Sequence, residues 1–196
     1  MKQIFNFNIK CLSLLLIVFF LASCEDLLKE NPPSALSSEN FYETEEDALA
    51  GLYGAYTETN GYWGPLGRLY LLMGEMNADD MKQSPIVSDV IQWDNFTYSN
   101  EITNGLWSNC YDGINKCNEV IKYTEEIEFN NPGEKADIIA EAKALRGVYY
   151  YQLVRAMGGV PLYTTPTVGF DEVKKPRVEQ EKIYSQIFAD LNSAVQ

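Results

Sequence analysis

The sequence contains no histidine, and this absence excludes several kinds of chemistry at once. Ser-His-Asp and Cys-His nucleophile systems need an imidazole, as do histidine-based acid–base steps and histidine-containing zinc sites. Catalysis by carboxylates or by lysine survives this filter, but each requires a specific constellation of side chains, and none is visible. The sequence therefore predicts no enzyme, no metal site and no cofactor.

Positive charge is also scarce, with 15 basic against 28 acidic side chains and a net charge of −13. Neutralising phosphates requires clustered lysine and arginine, and because no such patch is present we expect no nucleic-acid partner. An anionic membrane surface would repel the body of the protein, so membrane attachment would need a covalent or inserted anchor. Hydrophobic residues make up 46% of the chain, which is enough for a packed core.

The first part of the sequence has the features of a secretion signal. Two lysines precede the apolar run Leu12–Leu21, which is too short to span a bilayer but fits the hydrophobic region of a signal peptide. The run ends in the letters LASC, which resemble a bacterial lipobox. We therefore predict cleavage between Ser23 and Cys24, and acylation of Cys24. An ordinary secretory signal that happens to end in cysteine is the alternative.

Two thiols would remain after this processing, because Cys11 leaves with the signal and Cys24 carries the lipid. Cys110 and Cys117 are seven positions apart on a predicted helix, a rise of about 10.5 Å. A disulfide needs Cα atoms within about 7 Å of each other, so these two residues cannot bridge within the helix. We expect buried free thiols.

Hydrophobic spacing predicts a chain of amphipathic helices with almost no strand. Thr44 and Asp47 have the spacing of a partial capping box, and Pro132 and Gly158 are typical of the start and the end of a helix. The residues between 81 and 98 are predicted to form a long loop with at most a short strand. The predicted helices cover 44–60, 66–76, 103–124, 132–157 and 178 to the end.

Each of four helices has an apolar stripe that should face the core. In chain order the stripes are Ala48, Leu52, Ala55 and Tyr56; Leu106, Cys110, Ile114, Cys117 and Ile121; Ile138, Ala142, Leu145, Tyr149, Leu153 and Ala156; and Ile183, Ile187, Leu191 and Val195.

Three ordered motifs give the chain a family resemblance. The letters AEAKALRGVYYYQLVR at 140–155, followed by GGVPL at 158–162, resemble the signature of the SusD/RagB family. The helix ending in Ile114-Asn115, Asn118 and Ile121 is similar to that family's I-N-x-x-N helix. The segment 177–194, with Ile183-Tyr184 and Asp190-Leu191, resembles its last motif. We expect these residues to hold the fold and not to contact ligand.

The resemblance implies an all-α, tetratricopeptide-like superhelix with long irregular loops. It also implies three regions: a lipoprotein signal peptide over 1–23, a lipidated cysteine and tether over 24–43, and a helical domain over 44–196. Members of this family are much longer, so the helical domain is expected to be incomplete. The absent part would contribute much of the ligand-binding face.

By the same resemblance, the protein is expected to bind a glycan or another oligomeric nutrient on the outer face of the outer membrane. It would deliver that ligand to a SusC-like TonB-dependent transporter. Sugar binding requires flat aromatic faces beside carboxylates or amides, and two predicted loops carry such side chains. These candidates are Tyr62, Trp63, Trp93, Asp94, Asn95 and Tyr98. The alternative is that the tryptophans anchor their loops on the helical core.

Two other classes of function stay open. A helical-repeat adaptor on the outer membrane would bind protein and no sugar. A carboxylate-based glycosidase would need two carboxylates projecting into one cleft, and nothing in the sequence selects such a pair.

Overall fold

A computed structural model describes residues 38–60, 64–67, 100–167, 169 and 172–195. In this part of the chain all regular secondary structure is α-helical, and no strand occurs. The all-α prediction is therefore confirmed. The helices are α1 (Ser38–Phe41), α2 (Glu45–Asn60), α3 (Asn100–Glu126), α4 (Pro132–Met157) and α5 (Gln180–Ala194).

Helix α2 begins with the capping arrangement that the sequence predicts. The side chain of Asp47 accepts a hydrogen bond from the backbone N–H of Thr44 at 2.8 Å, and the Thr44 hydroxyl accepts one from the N–H of Asp47 at 3.3 Å. Two backbone donors at the start of the helix are thereby satisfied reciprocally. The hydrogen bond from the Thr44 side chain lowers the pKa of the exposed Asp47 carboxyl below its usual value.

Helix α4 begins and ends at the predicted residues. Asn131 caps its start by accepting a hydrogen bond from the N–H of Gly133 at 3.0 Å, and Pro132 occupies the first turn, where no backbone donor is needed. At the other end, Gly158 adopts a φ of 73° and donates to the carbonyl of Val154. This positive φ favours glycine, which explains why the helix stops here.

Other predicted bounds differ slightly. Helix α3 is a few residues longer at both ends, and α5 begins at Gln180 and not at Val178. The N–H of Val178 donates to the carbonyl of Val160 at 3.1 Å, which holds residue 178 outside the helix. Residues 64–67 form a turn. The rest of the helix predicted at 66–76, and the loop predicted at 81–98, lie outside the described residues.

Consecutive long helices contact each other in an antiparallel arrangement. Between α4 and α5, Lys143 bonds Ser193 whereas Arg146 bonds Asp190, so the contacts ascend in one helix as they descend in the other. Between α3 and α4, Gly113 lies against the ring of Tyr149, where a Cβ atom would come within 2.3 Å of the ring. Such close crossings of paired antiparallel helices are typical of tetratricopeptide-like folds.

Most of the predicted core residues are buried, including the two thiols. Cys110 and Cys117 are free, as expected, and burial raises the pKa of each to about 12. Three stripe predictions are wrong, because Tyr56, Leu191 and Val195 are exposed, Val195 by 83%. Leu191 is at the edge of the face of α5 that meets α4, where Asp190 is the buried residue, and Val195 follows the last residue of α5.

Among the helices that the structure describes, none combines the length and the apolar character needed to cross a bilayer.

Candidate functional site

The predicted site residues lie outside the described part of the chain. This applies to the lipidation and cleavage pair and to both loop groups, that is to Ser23, Cys24, Tyr62, Trp63, Trp93, Asp94, Asn95 and Tyr98. Their roles stay predictions. The described residues contain the helical motifs and one aromatic cleft.

The signature arginine of α4 forms a buried ion pair with α5. Arg146 is 5% exposed and Asp190 is 3% exposed. The guanidinium donates two hydrogen bonds to the carboxylate, from Nε to Oδ2 at 2.9 Å and from Nη2 to Oδ1 at 2.6 Å. Gln186 also donates to Oδ1 at 2.9 Å. This bidentate geometry offsets the cost of desolvating both charges.

Asn118 of α3 extends this network to the segment that follows α4. Its side-chain oxygen accepts from Nη1 of Arg146 at 2.7 Å. Its amide nitrogen donates to the carbonyls of Tyr163 at 3.2 Å and Thr165 at 3.1 Å. Side chains from the three motifs therefore join α3, α4, α5 and the irregular segment in one buried cluster, which we call the motif network (Asn118, Arg146, Asp190).

Two motif tyrosines fix neighbouring backbone. The hydroxyl of Tyr149 donates to the carbonyl of Ala55 in α2 at 2.6 Å. The hydroxyl of Tyr150 donates to the carbonyl of Tyr163 at 2.9 Å and accepts from its N–H at 2.7 Å. Burial raises the pKa of both phenols above the usual value, so they act as neutral donors. The expectation that the motifs hold the fold is confirmed for these residues.

The two glycines after α4 set the path of the irregular segment. A Cβ atom at Gly159 would lie 2.3 Å from the carbonyl oxygen of Val178, so only glycine permits this close approach of two backbones. Arg177 then donates to the carbonyls of Met157 at 3.1 Å and Gly159 at 2.9 Å. The segment that follows α4 then contacts α3 through Pro161, Tyr163 and Thr167.

A cleft of about 380 Å³ lies between α3 and this segment. We call it the aromatic cleft, and its lining consists of Trp107, Tyr111, Asp112, Ile114, Asn115, Pro161, Tyr163, Thr167, Val173 and Lys175. The ring centroids of Trp107 and Tyr111 are 4.8 Å apart, and Tyr163 meets Tyr111 edge to face at 5.6 Å. Pockets of this volume hold small ligands in many proteins.

Hydrogen bonds fix the walls of the aromatic cleft. The hydroxyl of Tyr111 donates to the carbonyl of Pro161 at 2.7 Å, and that of Tyr163 donates to the carbonyl of Val173 at 2.6 Å. The side-chain oxygen of Asn115 accepts from the N–H of Thr167 at 2.8 Å. Both faces of the cleft are thus joined to each other through backbone groups, and the aromatic rings have defined positions.

Charged groups of both signs surround the cleft. The ammonium of Lys175 lies 4.6 Å from the ring centroid of Tyr163, and the guanidinium of Arg177 lies 5.8 Å from that of Trp107. Asp112 lines the opposite side. Partial desolvation, with a further contribution from Glu58, raises the pKa of the Asp112 carboxyl above its usual value.

Sequence reasoning did not identify the aromatic cleft. One signal was present, because Trp107 and Tyr111 are four positions apart and lie beside the predicted apolar stripe, followed by polar Asp112 and Asn115. The residues across the cleft could not be assigned, since residues 160–175 have no periodic pattern. Within the described ranges no group of three acidic or cysteine side chains is arranged to hold a metal ion.

The SusD-like family described as "Starch-binding associating with outer membrane" matches residues 26–196. A SusD-like protein of Formosa agariphila is 32% identical over 199 residues, which covers 99% of this chain and 38% of that protein. This chain therefore spans well under half the length of that relative.

Solved structures agree with this match. A laminarin-binding SusD-like protein is 28% identical with a TM-score of 0.65, covering 79% of this chain and 34% of that one. A SusD superfamily protein from Bacteroides vulgatus is 24% identical with a TM-score of 0.69, again covering 79% and 34%. The second likeness shows the fold alone. It supports the all-α, tetratricopeptide-like assignment for this chain.

Proposed function

The chain belongs to the SusD-like family, and from this premise we propose that it works as a cell-surface lipoprotein that binds a glycan and delivers it to a TonB-dependent transporter of the outer membrane. SusD-like binding proteins are non-catalytic, so the proposed role is capture and transfer without chemistry on the ligand.

The observation that carries this proposal is the match over residues 26–196 together with the motif network. Its three members come from three separate helices, and each is one of the residues that resemble the family signature. A buried network built from these residues supports the view that they hold the scaffold, and the family description links the family to starch and to the outer membrane. The laminarin-binding relative makes β-glucans a second class of ligand to include.

We assign the membrane anchor to Cys24. This assignment rests on the signal-like segment before it and on the acidic composition of the body, which disfavours direct binding to anionic lipid. Cells grown with an alkyne analogue of palmitate should incorporate it into the wild-type protein and not into a Cys24→Ser variant. Labelling of the variant at the wild-type level would refute the assignment.

We assign ligand contact to the loop aromatics, with Trp93 as the first residue to test. The protein as it occurs in the cell, purified from outer membranes, should bind glycans on an array, and Trp93→Ala should weaken that binding while the helical circular dichroism stays unchanged. A Tyr53→Ala variant is a suitable control, because Tyr53 is an exposed aromatic on α2. Equal binding by the Trp93 variant and the wild type would remove this loop from the site.

The transporter is tested separately. Affinity purification of the tagged protein from outer membranes should recover a TonB-dependent barrel. Recovery of other proteins only, together with a silent glycan array, would favour the helical adaptor instead.

A further inference from the structure

We propose that the aromatic cleft, between α3 and the irregular segment that follows α4, is a second subsite, which holds a ring of a neutral oligosaccharide. The inference rests on the proposed function, since it names the chemical class of the captured glycan and one place where that glycan is bound. It involves none of the loop residues that were predicted from the sequence. Its lining includes Ile114, Asn115 and Pro161 of the family motifs, so it departs from the expectation that motif residues do not contact ligand.

The walls of the cleft suit a sugar ring. Trp107 and Tyr111 are partly buried and line the cavity. The hydrogen bond from the Tyr111 hydroxyl to Pro161 holds the Tyr111 ring in place before any ligand arrives, and the ring of Trp107 packs against it at 4.8 Å. Aromatic faces bind the C–H side of a pyranose, and a rigid wall loses little conformational entropy on binding. Pre-positioned rings therefore favour a ligand with one flat apolar face.

The charged side chains at the rim of the cleft favour a ligand without net charge. Asp112 provides carboxylate acceptors on one side, and Lys175 provides ammonium donors on the other. A purely apolar ligand would desolvate these charges without replacing their hydrogen bonds, which is unfavourable. A charged ligand would pair with one of these two side chains and leave the other desolvated without a partner. Hydroxyl groups donate and accept, so a neutral, polyhydroxylated ring satisfies both sides.

A neighbouring cavity indicates a ligand longer than one ring. It measures about 500 Å³ and shares Tyr163, Thr167 and Lys175 with the aromatic cleft. Its other lining residues are Lys122, Thr165, Pro166 and Glu172. Because Lys175 borders both cavities, it is placed to contact two successive rings. We therefore expect oligosaccharides to bind more tightly than the monosaccharide.

The test is calorimetric titration of the protein with maltohexaose and laminarihexaose, with glucose as the single-ring comparison. Asp112 and Lys175 are both exposed, so Asp112→Asn and Lys175→Ala should leave the fold intact. Each should weaken hexasaccharide binding about tenfold, because each removes a hydrogen bond that involves a charged group. Lys174→Ala and Asp137→Asn are matched controls, exposed and outside both cavities of this groove, and should bind as the wild type does.

The outcomes separate this inference from the proposed function. Unchanged affinity in both cleft variants, with wild-type protein that binds a hexasaccharide, overturns the cleft and leaves the proposed function standing. Loss of hexasaccharide binding in Trp93→Ala, with wild-type affinity in both cleft variants, also overturns the cleft and leaves the proposed function standing. If neither hexasaccharide binds the wild type, the assignment of the cleft to neutral glucans fails, while the glycan array and the transporter purification decide the proposed function independently.

Discussion

The buried pair Arg146–Asp190 offers the sharpest test of how the family motifs act. Replacing Asp190 by asparagine keeps the volume of the side chain but removes its negative charge. Arg146 is only 5% exposed, so its guanidinium would stay charged and buried without a counter-ion. Removing one partner of a buried ion pair costs about 3–5 kcal/mol, a large part of the stability of a typical domain.

The structure supports a value within this range. Asp190 accepts two hydrogen bonds from Arg146 and a third from Gln186, and an amide in its place can accept on one side only. One N–H of the guanidinium would then face an NH₂ group. We expect the Asp190→Asn protein to unfold at distinctly lower urea concentration, with a loss of about 3–5 kcal/mol in the free energy of unfolding.

The measurement is equilibrium urea unfolding followed by far-ultraviolet circular dichroism. Glu181→Gln, an exposed carboxylate on the same helix, is the control and should change the free energy of unfolding by about 0.5 kcal/mol or less. The double variant Arg146→Met with Asp190→Leu removes both charges. It should be more stable than Asp190→Asn by at least about 1 kcal/mol, because no unpaired charge remains.

Two results would refute this reasoning. A loss below about 1 kcal/mol for Asp190→Asn would mean that Arg146 is satisfied by its other acceptors, Asn118 and the carbonyl of Thr164. If Arg146→Met and Asp190→Leu are also measured singly, a double variant as unstable as the sum of these two losses would mean that the residues contribute separately and not as a pair.

Two further regions give testable expectations. Gly113→Ala should destabilise the protein by about 1–3 kcal/mol in urea unfolding, because its Cβ would lie 2.3 Å from the ring of Tyr149. Gly54→Ala, where nothing lies within 4 Å, should instead stabilise α2 by up to about 1 kcal/mol. A change of the same sign in the free energy of unfolding for both variants would contradict the packing argument. Cys110 and Cys117 should resist iodoacetamide in native protein and react quickly in denaturant, since each is fully buried with its pKa raised to about 12. The unfolded chain loses these protons first as pH rises, so the free energy of unfolding should fall above about pH 9; a constant value up to pH 11 would speak against thiol burial.

The sequence determined the helices themselves. Apolar spacing near 3.6 residues and local end signals are properties of adjacent positions, so they can be read without knowing any partner. The capping pair at Thr44 and the span of α4 were predicted correctly for this reason, and the free thiols followed from the length of helix between them. The family resemblance likewise depended on residue types at fixed spacing.

The tertiary structure decided which side chains meet. Apolar periodicity placed Leu191 and Val195 in the core, whereas the structure exposes them and buries Asp190. A carboxylate can be buried only where a guanidinium is brought to it, and Arg146 lies 44 positions away in the chain. The aromatic cleft depends in the same way on distant contacts, since its second wall is an irregular segment without periodicity. Long-range pairing is set by packing, and no local pattern of residues encodes it.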